Sequence, residues 1–283
     1  MRFSFILSLF FFSSKIFGQQ ESLYFLPKEL NEISGLIHLN DSLFLAINDS
    51  GNKPIIYAFQ PSGKILKKVK LCNAPNIDWE DLSFDANSQT VFVGDFGNNA
   101  NRRTQLSIYF FALNDFFTLD SLQPKRITFT YALQKSFPPE SHEMDFDMEA
   151  MAFKNDSLFL FSKCSFKHCS GLSHVYVLPI KEGHEQLVPK TTLHFPHKDY
   201  LHNGITSATF VGDTLYLLTY KEIKRYLYQA GKFLPIGNLV SSGIGQKEAI
   251  CVGEQYYFIS EEKNKLFGGP NLYFVPKRKD DFK

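Results

Sequence analysis

Asp41-Ser42-Leu43-Phe44-Leu45 returns as Asp156-Ser157-Leu158-Phe159-Leu160, and Asp213-Thr214-Leu215-Tyr216-Leu217 is a close variant. Each copy follows a short apolar stretch and a polar turn, so the phrase marks one place in a larger repeating unit. Self-similarity of this kind decides the fold before any single residue does. The first unit runs through residues 34–38, turns at 39–41 and rises through 42–48. The third runs through 149–153, turns at 154–156 and rises through 157–163. The fourth does the same at 206–210, 212–213 and 214–220. Two more units fit with altered turns, one over 80–93 and one over 248–259.

A short strand, a tight polar turn and a second apolar strand make a β-hairpin. Third strands are expected at 55–59, 106–112, 174–179, 223–229 and 272–275, and fourth strands at 65–71, 126–132, 191–195 and 233–239. Four antiparallel strands repeated radially build a β-propeller. The last unit lacks a fourth strand, and residues 21–26 at the chain's start can supply it, closing the ring and removing exposed sheet edges. Five units are visible. A sixth blade has room around residues 116–131, so the expectation is five or six blades. A two-sheet β-sandwich is the alternative fold.

Composition agrees with an all-β chain. Thirty Phe and thirteen Tyr in 283 residues suit pleated, half-buried surfaces. No long stretch has helical apolar spacing. The net charge of +1 is evenly spread, which argues against nucleic acid as a partner. Residues 3–12 are apolar behind Arg2, and small and polar residues follow, as in a signal peptide over residues 1–19. That run is shorter than the ~20 residues a membrane span needs. No cysteine follows the cleavage zone, so no lipid anchor is expected. Residues 20–278 then form one exported domain, secreted or periplasmic, with a frayed tail at 279–283. Cys164 and Cys169 share a polar loop and suit a small disulfide, whereas Cys72 and Cys251 read as buried free thiols, with a second bridge between them as the alternative.

In a propeller blade the innermost strand lines the channel and the next runs back, so the start of one and the end of the other meet at the same face. Asp78, Glu80 and Asp81, then Asp147 and Glu149, then Lys247 and Glu248 fall at the starts; Glu32 precedes the first unit. Asn48, Asp49, Asp95, Asn98, Lys163, Tyr220 and Glu261 fall at the ends, with Arg103 in the loop after Asp95. Three readings share these residues. They can be structural, since Asn, Asp and Gly suit turns. They can hold calcium, which takes six to eight oxygen ligands. Or they can form a catalytic pocket, where close carboxylates divide into acid and base. Glu80, Glu149 and Glu248 stand out because they recur at equivalent positions in three units. Trp79, the one Trp, is placed between blades rather than on a ligand.

Ile33-Ser34-Gly35-Leu36, Asn48-Asp49-Ser50-Gly51, Asp78-Trp79-Glu80-Asp81, Gly94-Asp95-Phe96-Gly97-Asn98-Asn99 and Asp147-Met148-Glu149-Ala150 resemble phrases of secreted bacterial propellers. The similar proteins are of the phytase-like and esterase-like group, which overlaps with gluconolactonase-like and NHL-type propellers. The resemblance covers residues 30–165, and it implies a divalent metal in a polar channel. On that basis Glu32, Glu80, Asp95 and Asn98 are expected metal ligands, with calcium as the ion. Glu149, Glu248, Lys163 and Arg103 are expected in catalytic roles. The expected ligand is small and polar or anionic, and the expected chemistry is metal-assisted ester or lactone hydrolysis. Lys163 and Arg103 make the channel less acidic than a multi-calcium phytase requires. A non-enzymatic scaffold that binds a protein or peptide on the same face is the alternative.

Overall fold

A computed structural model describes residues 21–167, 169–196, 198–240, 245–266 and 268–278. The expected signal segment and the terminal tail lie outside the described residues. Five sheets are arranged around a channel, and the chain is a five-bladed β-propeller.

Blade 1 comprises Ile33–Asn40, Leu43–Asn48, Ile55–Phe59 and Ile65–Leu71, from the channel outward. Blade 2 comprises Trp79–Asp85, Thr90–Asp95, Leu106–Ala112 and Lys125–Tyr131. Blade 3 is Asp147–Lys154, Ser157–Lys163, Leu172–Pro179 and Thr191–His194. Blade 4 is Ile205–Val211, Thr214–Thr219, Glu222–Gln229 and Lys232–Val240. Blade 5 takes Lys247–Val252, Tyr256–Glu261 and Asn271–Pro276 from the end of the chain and Ser22–Phe25 from its start. That first strand pairs antiparallel with the last, Leu23 opposite Tyr273, so the expected closure is present. The five inner strands pack on one another in ring order, blade 5 against blade 1.

The question of a sixth blade is settled by residues 113–131. A short helix, Leu113–Thr118, leads into Ser121–Leu122, which pairs parallel with Ile65–Leu71 of blade 1. Lys125–Tyr131 is the fourth strand of blade 2. Blade 3 likewise lends Gly183–Leu187, parallel to Lys125–Tyr131. These two added strands were not foreseen; each covers a neighbour's outer edge, which would otherwise offer unpaired backbone groups.

The repeated phrase has a local explanation. Between Lys154 and Ser157 the hairpin is closed by Asn155 and Asp156, both at positive φ. Tight two-residue turns of this kind match strand twist and favour Asn and Asp. The Leu-Phe-Leu that follows alternates between the two faces of its sheet, and both faces are covered by neighbouring blades. Phe159 and Phe161 pack toward blade 4, and Leu158 and Leu160 toward blade 2. Trp79 is fully buried among Ile37, Leu45, Leu82 and Tyr109, and its indole N–H donates to the Pro75 carbonyl at 3.2 Å. It is an inter-blade packing residue.

All five inner strands carry a β-bulge at the same position. The register breaks between Ile33 and Gly35, Trp79 and Asp81, Met148 and Ala150, Ile205 and Ser207, and Lys247 and Ala249. The extra residues are Ser34, Glu80, Glu149, Thr206 and Glu248. A bulge leaves one residue outside the ladder and re-aims its side chain. One end of the channel is thus ringed by five re-aimed polar side chains. The other end opens into a depression of about 270 Å3 that includes Leu36, Phe84, Phe153, Phe210 and Val252.

Candidate functional site

The mouth is built from the bulges and the loops after the second strands. Asp49 follows Leu43–Asn48, and its backbone N–H donates to the Glu32 carbonyl at 2.8 Å. Asn76 ties blade 1 to blade 2, donating to the carbonyls of Asn48 and Asp49 and accepting from the Trp79 N–H at 3.0 Å. That holds Asp78 and Glu80 beside Asp49. One carboxylate oxygen from each of Asp49, Asp78 and Glu80 lies within 4.8 Å of the others. Gly97 makes this approach possible. A Cβ there would sit 2.0 Å from Glu80 Oε1 and 2.5 Å from Asp78 Oδ2, so only glycine lets the loop pass so close.

Across the channel, Lys163 Nζ is 3.0 Å from Glu149 Oε1 and both are buried. The ammonium also lies 5.4 Å from the Tyr220 ring centre and 5.7 Å from that of Tyr200, within cation–π range. Phe166, exposed on the Cys164–Cys169 loop, stands edge-on to Tyr200 at 5.1 Å. The loop disulfide is therefore present, and Cys72 and Cys251 are free.

The electrostatics follow from crowding in a dry place. Burial, then the Asp49 and Glu149 charges, pushes the Asp78 carboxyl up to about 6. Burial, then Asp49 and Glu32, pushes Glu262 up to about 7. Glu80 is raised by burial and by Glu149, Asp49 and Asp78, with Lys163 opposing. Glu248 is raised by burial, with Lys163 again opposing. Burial works against the Lys163 ammonium, but Glu149 and the neighbouring groups outweigh it and hold its pKa well above the usual lysine value. The like charges and low dielectric are those found where acid–base or ion-binding chemistry is done.

Of the residues singled out from sequence, the fold brings Glu80, Glu149, Lys163 and Glu248 to the mouth. Glu32, exposed, sits at its rim and accepts from Asn52. Asp95, Asn98 and Arg103 form a bracket beside it. Arg103 donates to Asp95 Oδ1 at 3.1 Å and to the Gly97 carbonyl at 2.9 Å, while Asn98 accepts from the Arg103 N–H and donates to the Phe146 carbonyl. Asp95 in turn accepts from the Asp78 N–H at 2.9 Å. The bracket holds the Gly97 loop under the carboxylates. Sequence reading left out Asp49 as a ligand because it sits in a phrase that also suits a turn, and Asp78 because it lies before the position that recurs in Glu80, Glu149 and Glu248. It left out Glu262 and Thr206 because no repeat flags the first and the second is not acidic.

No family model and no curated protein matches the sequence. Among solved structures, a glutaminyl cyclase from Myxococcus xanthus superposes with a TM-score of 0.53 at 12% identity, covering 89% of this chain and 93% of that one. The soluble aldose sugar dehydrogenase from Escherichia coli, in its apo form, gives a TM-score of 0.50 at 12% identity over 91% of this chain and 100% of that one. At such identity these likenesses establish the propeller fold alone. Among the described residues no helix is long and apolar enough to cross a membrane.

Proposed function

We propose that this propeller is an exported protein whose channel mouth binds a divalent cation between Asp49, Asp78 and Glu80 and acts on a small polar ligand there. The carrying observation is the carboxylate triad, drawn within 4.8 Å over a glycine that only a Cβ-free loop can provide. Three close carboxylates at neutral pH call for protons or for a cation. An all-oxygen donor set suits calcium, magnesium or manganese rather than zinc. The Cys164–Cys169 disulfide supports an oxidising compartment.

The proposed chemistry is hydrolysis of an ester or lactone. A bound ion would supply Lewis acidity toward an acyl oxygen. Glu149, whose charge acts on Glu80 and Asp78, and Glu248 are the proposed proton-moving groups. Lys163 keeps its charge beside Glu149 and would steady a developing oxyanion.

Thermal unfolding of the mature protein in EDTA and then in calcium tests the ion site. An ion that binds the native state alone stabilises by about 2.7 kcal/mol at a hundredfold excess over Kd, roughly 5–10 °C for a domain of this size. Glu80→Gln should abolish the rise; a rise retained in that variant would refute the site. With the ion established, a panel of esters and lactones tests turnover. Activity unchanged in Glu149→Gln and in Glu248→Gln would refute the hydrolytic role.

A further inference from the structure

We propose that the blade 5 side of the mouth binds a primary ammonium carried by the ligand, held by Glu248, Glu262 and the Thr206 hydroxyl. The inference rests on the cation reading of Asp49, Asp78 and Glu80, and it makes the ligand cationic rather than anionic.

Charge balance gives the first reason. Glu149 is matched by Lys163 at 3.0 Å, and Arg103 is matched by Asp95. One divalent ion offsets two of the three carboxylates of the triad. Among the described residues neither Glu248 nor Glu262 has an ion-pair partner: the uncharged Gln246 side chain hydrogen-bonds to each, and Lys163 acts on both at a distance. An anionic ligand would worsen this imbalance, whereas an ammonium relieves it.

Unpartnered atoms give the second reason. Glu248 is 8% exposed and Thr206 1% exposed, and among the described residues neither the Glu248 Oε1 nor the Thr206 Oγ1 has a hydrogen-bond partner. The two occupy the same bulge position on adjacent inner strands. A buried polar atom without a partner is costly, so two of them at adjacent bulges point to a partner that arrives with the ligand. An ammonium presents three donors, and Glu248, Glu262 and Thr206 present three acceptors.

Lys163 gives the third reason, because it shows what this enclosure does with an ammonium. One carboxylate contacts it and two tyrosine faces lie within 6 Å of it. The same carboxylate-and-aromatic surroundings extend to Glu248, whose charge Lys163 and Tyr220 both feel. A second metal ion fits less well here: blade 5 offers two carboxylates beside neutral groups, and the close trio of ligand atoms lies on blades 1 and 2.

Calorimetry with L-alaninamide and ethylammonium chloride, against N-acetyl-L-alaninamide as the uncharged analogue, tests the proposal. Both amines should bind and the acetylated analogue should not. Glu248→Gln and Glu262→Gln should each weaken alaninamide by about tenfold or more, the worth of a charge-assisted hydrogen bond, while the calcium-induced thermal shift persists. Glu80→Gln should do the reverse, removing the calcium shift and leaving amine binding. Equal binding of the acetylated analogue, no binding of either amine, or full affinity in both blade 5 variants would overturn the proposal. So would loss of the calcium shift in Glu248→Gln, which would make that residue a metal ligand. Loss of calcium binding alone would sink only the ion site. Thermal midpoints of each isosteric variant in EDTA show that it is folded.

Discussion

Glu80 and Asp81 are neighbours on one strand, both carboxylic and both buried, yet they sit in opposite circumstances. Asp81 lies at the channel's waist and is surrounded by donors. It accepts from the amides of Leu82 and Met151 at 2.9 and 2.8 Å, from the Ala208 amide at 3.3 Å and from the Ser207 hydroxyl at 3.1 Å. Ser207 then accepts from the Ile250 amide, so four blades are linked at this level, and Ser34 joins blade 1 to blade 2 one residue nearer the mouth by donating to the Trp79 carbonyl. Glu80 lies one residue nearer the mouth, on the bulge, and its neighbours are Glu149, Asp49 and Asp78. Burial raises both carboxyls, but hydrogen bonds oppose the rise at Asp81 and like charges add to it at Glu80. A buried acid that closes a ring of donors holds the structure; a buried acid crowded by other acids belongs to the proposed ion site.

The largest effect should come from breaking the waist. Asp81→Ala would leave the Met151 and Ala208 amides facing each other across a cavity. The expected cost is about 3–5 kcal/mol, seen as a lower urea midpoint with an unchanged slope. If Asp81→Ala unfolded no earlier than the parent, the waist would not be the structural centre of the ring. Next in size is Gly97→Ala, which drives a methyl into Glu80 and Asp78. It should weaken calcium by at least about tenfold while costing roughly 1–2 kcal/mol of stability. Equal losses of both kinds in the two variants would erase the distinction between waist and mouth.

Glu80→Gln sharpens the contrast by changing sign. Removing one of several crowded charges should stabilise the ion-free protein by about 0.5–2 kcal/mol, as happens when a strained functional site is relieved. In calcium the order should invert, the parent becoming the more stable. A Glu80→Gln protein less stable than the parent in EDTA would show that Glu80 is structural after all.

The fold was legible because its signal is local and repeated. The Asn155-Asp156 turn, the apolar second strands and the missing fourth strand of the last blade each have one structural solution. The two lent strands were not legible, since Ser121–Leu122 is two residues long and Gly183–Leu187 is polar apart from its last residue. At the site, Glu80, Glu149 and Glu248 could be found because they recur in register. Their bulges could not, because a bulge is a property of pairing between strands. Asp49 was hidden by a second plausible use, since Asn48-Asp49-Ser50-Gly51 reads equally as a turn, and Asp78 lies outside the repeated position. Only the Asn76 bridge between two blades shows that the turn is also held in place as part of a trio.

The smallest effect, and the one that separates the two levels most cleanly, is in pH dependence. Asp78 titrates at about 6 in the fold against 3.8 in the unfolded chain, and Glu262 at about 7 against 4.5. Between those limits the folded state holds more protons than the unfolded one, so stability falls as pH rises. The contribution is full below about pH 4, shrinks through pH 5 to 7 and is gone above pH 8. In EDTA the thermal midpoint should therefore decline across that window. Saturating calcium should flatten the part due to Asp78, because an ion holds that carboxylate ionised in the fold, and leave the part due to Glu262. Glu262→Gln should remove that part. A midpoint that rises from pH 5 to 8 in EDTA would mean that the mouth is not crowded with unmatched carboxylates.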